Sequence, residues 1–122
     1  MPHAPRDLIE RTFEFARRVR RLVGRVPQTI ANVEDIRQLI RSSGSVASNY
    51  IESQEALSRK DFFYRIKVCR KEARESGLWL RLINPGSNSE VIAESDALFL
   101  EAEALTRIFS SIIKKDESST RR

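Results

Sequence analysis

The chain has 122 residues, 40% hydrophobic and 32% charged, with only 4 Gly and 4 Pro. That length suits one domain spanning 1–122, and the composition favours an all-helical globular protein over a disordered or β-rich one. One Cys excludes an internal disulfide, and no apolar run approaches the ~20 residues of a membrane span. The N-terminal MPHAPRDLIER lacks the apolar core of a signal peptide. The expected setting is therefore a reducing cytoplasm, with no membrane partner.

The formal charge of +5 is segregated. Residues 1–26 hold seven Arg against three acids, net +4, and residues 57–83 hold eight basic against three acidic residues, net +5. The two intervening segments, 27–56 and 84–122, are each net −2. Such alternation steers neighbouring helices together and also leaves basic surface.

The first predicted helix spans about 6–25. Leu8, Thr12, Phe15, Ala16, Val19, Leu22, Val23 and Val26 recur at spacings of three and four, and Gly24 and Pro27 bracket its end. On its outer side Arg17, Arg21 and Arg25 share one line, and Glu14–Arg18 here, like Lys71–Glu75 further along the chain, is spaced for an intrahelical pair.

The second predicted helix spans about 29–55. Its centre, QLIRSSGSVASNYIES at 38–53, carries Ser, Gly, Ala and Asn where a soluble helix usually carries Lys and Glu. At 100° per residue, Val33, Ile36, Ile40, Ala47, Tyr50 and Ile51 fall on one face. Gln38, Arg41, Ser45, Ser48, Asn49 and Glu52 line another. A ladder of small hydrogen-bonding side chains lets a second backbone approach closely, which predicts a subunit contact through Arg41, Ser45, Asn49 and Glu52.

The third predicted helix, about 59–83, opens at Ser58 with Asp61 three residues on, close to a capping box. Phe62, Ile66, Cys69, Ala73, Ser76, Leu80 and Ile83 form its inner face, and Asn84-Pro85-Gly86 stops it. Its outer face places Lys67, Lys71, Arg74 and Arg81 within roughly 60° of Lys60. Phe63 and Tyr64 lie beside them, and Asp61, Glu72 and Glu75 lie on the far flank. Such a stripe is either a solvated charged face or a footprint for phosphates, with aromatics for stacking. Trp79, the only Trp, falls off the apolar stripe and suggests a second buried surface, either a wider core or a subunit interface.

Ser87 with Glu90 restarts the chain as a fourth helix, about 89–114, with Val91, Leu98, Ala102, Leu105, Phe109 and Ile112 as its stripe. The tail 115–122 reads as flexible. Four amphipathic helices with short connections predict an antiparallel up-down-up-down four-helix bundle.

The catalytic inventory is thin. His3 is the only His, so metal sites built on His or paired Cys are not expected. Cys69 sits on the apolar face as a core residue. Glu52 with Glu55, and Glu72 with Glu75, have the spacing of ordinary helix-surface carboxylates. No catalytic residues, metal or cofactor are therefore expected.

Several stretches carry a family resemblance: DLIERTFEFA at 7–16, QLIRS with Ser45, Asn49 and Glu52, Ser58 with Asp61-Phe62, and KEARESGLWLRL at 71–82. In this order and spacing they resemble the four-helix-bundle proteins encoded by intervening sequences within bacterial 23S ribosomal RNA genes, from about residue 7 to Lys114. The resemblance implies a ring-like homopentamer and a role in binding nucleic acid. It also implies kinship with the accessory protein that supports the reverse transcriptase of diversity-generating retroelements. Ser-Asn-Tyr-Ile-Glu-Ser at 48–53 and the loop at 84–89 depart from the family pattern. The resulting expectation is a non-enzymatic homo-oligomer that binds RNA or RNA/DNA. Its phosphate-binding residues are Lys60, Lys67, Lys71, Arg74 and Arg81, supported by Arg17 and Arg21. Its subunit contact is made by Arg41, Ser45, Asn49, Glu52 and Trp79. The competing expectation is an assembly scaffold for a protein partner such as a reverse transcriptase.

Overall fold

The computed structural model describes the backbone of residues 4–120 and the side chains of residues 8–117. Four helices follow one another: α1 (Ala4–Val23), α2 (Ile30–Gln54), α3 (Arg59–Leu82) and α4 (Ser89–Thr120). Contacts run α1–α2, α2–α3, α3–α4 and, more sparsely, α1–α4, with no diagonal pair. This is the up-down-up-down four-helix bundle that short loops between amphipathic helices dictate.

Helix starts are set by side-chain oxygens that satisfy free backbone N–H groups. Thr29 accepts from Asn32 N, and Ser58 accepts from Asp61 N, each at 3.1 Å. At α4 the cap is Asn88, not Ser87: its Oδ1 accepts from Glu90 N at 2.9 Å and Val91 N at 3.2 Å. The fourth helix also runs on to Thr120, past the 114 expected, and Asp116 there holds Arg59 of α3 at 2.7 Å.

All eight stripe residues of α1 are buried, and so are those of α3 apart from the half-buried Phe62. In α4 Ile113 is buried and Ile112 only half so. In α2 the expected stripe is rotated. Leu39, Ser42, Ser43, Val46, Tyr50 and Ser53 face the core, whereas Val33, Ile36, Ile40 and Ala47 are half-buried and Ile51 is exposed. The cause is the serines. Ser53 Oγ donates to Tyr50 O at 2.6 Å, and the more distant Ser42 and Ser43 hydroxyls reach back to Leu39 O and Ile40 O. A Ser that bonds its own helix can be buried without an unpaired group. Being small, Ser42 meets Ser76 of α3 at 2.8 Å, oxygen to oxygen, inside the core.

The α1–α4 seam is closed by long side chains. Arg11, Arg18 and Arg25, spaced by heptads, reach Glu101, Glu94 and Glu90 at 2.7, 2.9 and 3.5 Å. The first two are bidentate. Arg18 is thus taken up by Glu94, and Glu14 pairs with Arg17 instead of the expected Arg18.

Candidate nucleic-acid interface

In α3 the heptad Lys60, Lys67, Arg74, Arg81 is exposed along its length, about 30 Å of helix. None of the four has an ion-pair partner among the described residues. Lys71 differs: its Nζ lies 3.6 Å from Glu75 and 3.8 Å from Glu72, so much of its charge is spent within α3. The half-buried Arg70 flanks the stripe and joins Lys67, Lys71 and Arg74 around a shallow depression. Phe63 and Tyr64 lie at one end, each with a guanidinium over its ring: Arg59 at 5.4 Å and Arg65 at 5.6 Å. Tyr64 remains 60% exposed.

Two further cations were not legible as part of this surface. Arg107 of α4 shares a groove with Arg74 and Arg81, and Lys114, one heptad on, is exposed on the same helix. Their segment is net acidic, so only the register of α4 against α3 reveals them. Their seven-residue spacing was the available signal.

Arg17 and Arg21 are not brought to this surface. They lie on α1, which does not contact α3 among the described residues. Arg17 is bidentate with Glu14 and lies 5.9 Å over the Phe13 ring. The bond from Arg17 holds the Glu14 carboxyl below its usual 4.5. Arg21 is exposed.

The expected subunit-contact residues lie together on the α2–α3 seam, where many of their polar groups already have partners within the chain. Asn49 Nδ2 donates to Ser45 Oγ at 3.0 Å, and Asn49 Oδ1 accepts from Arg65 at 2.9 Å. Arg41 reaches Glu72 and Glu75, each at 3.8 Å. Glu52 is exposed beside Leu57 and Tyr64. Trp79 packs against the core while half-buried, and its indole N–H finds no acceptor among the described residues. Both competing readings of Trp79 thus keep a basis, since the ring widens the core and still meets the surface.

Among the described residues no three of His, Cys, Asp and Glu converge as a metal-ligand set, and no helix is long and apolar enough to cross a membrane. His3 lies outside the described residues.

The sequence model of the 23S rRNA-intervening sequence proteins matches residues 6–111, nearly the whole bundle. The chain belongs to this family. A protein of unknown function from the S23 ribosomal protein family of Bacteroides thetaiotaomicron has a similar crystal structure. The TM-score is 0.71 at 24% identity, over 88% of this chain and 98% of that one, which supports the fold. No curated protein matches the sequence. Seen against this membership, the Lys60–Arg81 stripe is a cationic face on one helix of a 23S rRNA-intervening sequence protein.

Proposed function

We propose that this protein is a non-enzymatic, cytoplasmic homo-oligomer that binds the phosphate backbone of RNA or RNA/DNA along α3. One observation carries the reading: Lys60, Lys67, Arg74 and Arg81 stand exposed in register with no ion-pair partner among the described residues, while acids elsewhere take up Arg11, Arg17, Arg18, Arg25 and Arg59. A row of uncompensated cations attracts a polyanion, and release of its counterions supplies affinity. At +5 one chain is a weak binder. In the pentamer that the family resemblance implies, several weak contacts would meet one nucleic acid and gain through avidity.

Binding should be broad in sequence and steep in salt. With about four phosphates neutralised, log affinity falls against log salt with a slope of roughly −3 to −4. The variant Lys60→Gln/Lys67→Gln/Arg74→Gln should lose affinity and flatten that slope by roughly two to three, with helical signal and mass unchanged. If the triple variant binds RNA like the parent, the stripe is a solvated face. The scaffold reading then gains, supported by the large exposed side chains Ile51, Leu57 and Tyr64, which suit a protein partner.

A further inference from the structure

Beside the Arg74–Arg81 half of the stripe, α3 and α4 leave an open groove of about 460 Å³. That is within the ~300–1,000 Å³ of pockets that hold small ligands. Gly77, buried, lines its floor: an added Cβ would sit in ordinary contact with Phe99 and Ala102 at 3.7–3.8 Å, so the bare glycine is where α3 packs on α4 beneath the groove. Leu78, 47% exposed, and the half-buried Phe99 give it apolar walls. Arg74, Arg81 and Arg107 stand around it, exposed and without ion-pair partners among the described residues.

A mixed groove, with Leu78 and Phe99 as apolar walls, three arginines around it and the single carboxylate of Glu103 among them, fits a ligand with a flat apolar part joined to anionic groups. A nucleotide within an unpaired strand has this form. A duplex lying on the stripe would offer phosphates to the arginines but keep its bases stacked inside, leaving Leu78 and Phe99 uncovered. An unpaired strand satisfies both, because its bases can turn outward onto an aromatic face.

We infer that the α3/α4 groove takes an unstacked base, so that the ligand of the α3 stripe is a single-stranded or looped nucleic acid and not a continuous duplex. The inference rests on the phosphate-binding reading of that stripe. Arg74, Arg81 and Arg107 hold the phosphates on either side of the base, and Phe99 supplies the ring beneath it. Glu103, also at the groove, can accept from an exocyclic amino group. Thr106 donates its hydroxyl proton to Ala102 O at 2.8 Å and so faces a base as an acceptor.

The test compares an unstructured polypyrimidine RNA, its DNA counterpart and an RNA duplex of equal length across a salt series. The parent should bind the single strands more tightly. Phe99→Leu keeps apolar fill and removes the aromatic face, and Leu78→Ser alters an exposed wall without touching the core. Each should weaken single-strand binding roughly fivefold or more, leaving duplex affinity and the salt slope unchanged because no phosphate contact is lost. The loss on RNA alone, or on both strands alike, supports the inference. Duplex bound as tightly as single strand, with Leu78→Ser inert, overturns it while the stripe stands. A parent that binds none of the three sinks the phosphate reading and this inference with it.

Discussion

Cys69 is fully buried where α2 meets α3, its thiol 3.6 Å from the Val46 carbonyl. Burial pushes its pKa from 9.0 to about 12, and burial likewise raises Tyr50. The folded chain therefore keeps both protons to a higher pH than the unfolded chain does. Well below the ordinary value of 9.0 both states hold the thiol proton, and stability does not depend on it. Between that value and about 12 the unfolded state binds fewer protons, so stability falls as pH rises. The urea midpoint should be level through neutral pH and decline above about pH 9. Cys69→Ala should remove a large part of that decline, with Tyr50 supplying a further part. The native thiol should also resist alkylation at neutral pH. Rapid labelling of the folded chain, or an alkaline decline identical in Cys69→Ala, would show that the thiol is not held in the core.

Between elements, the decisive joint is one that hydropathy hides. Asn32, buried in the first turn of α2, spends its whole amide on two loops. Nδ2 donates to Pro27 O and Asn84 O, each at 2.8 Å, and Oδ1 accepts from Asn84 N at 2.9 Å. It binds the α1–α2 loop to the α3–α4 loop. There Gly86, at φ +86°, lies so close to Pro27 that a Cβ would come within 3.1 Å of the ring. Asn32→Asp loses both donors and aims a carboxylate at two carbonyls. A cost of about 3 kcal/mol or more is expected, read as a fall in the denaturation midpoint with the helix content of the folded state retained. A midpoint within about 0.5 kcal/mol of the parent would show the loops are held by other contacts. The same joint marks the limit of sequence reading. The α1 stripe was legible because its apolar spacing is unbroken from Leu8 to Val26. The α2 core face was not, since a Ser bonded to its own carbonyl looks like a surface Ser until the backbone is placed. In the candidate site, the α3 heptad was legible on one helix. The Lys71–Glu75 pair was legible too, from its i,i+4 spacing; Arg107 needed the packing of two helices, and the pairing of Arg17 depended on which arginine Glu14 reached.

At the scale of the whole molecule, a ring of copies requires two different faces on each chain, because a closed ring repeats a head-to-tail contact. The bundle offers two. One is the polar seam of Arg41, Ser45, Asn49 and Glu52. The other is apolar: Ile9 and Phe13 of α1 and Ile51 of α2 are exposed at the same end of the antiparallel α1–α2 pair, with Phe13 at 55%. Large apolar side chains left exposed at one end of a helix pair suit a subunit contact. We propose that the seam of one copy meets the apolar patch of the next. Ser45→Arg should then abolish the multimer by placing a bulky charge in the contact, and Phe13→Glu should do so from the other side. Each should remain a helical monomer by light scattering and circular dichroism. Mixing the two variants separates this arrangement from a symmetric one. In a ring, a chain with an intact patch can still join a chain with an intact seam, so the mixture should give heterodimers and stop there. If the seam instead packs against itself, every pairing in the mixture involving Ser45→Arg fails and no heterodimer forms. A Ser45→Arg chain with the parent's mass would show that the seam faces water.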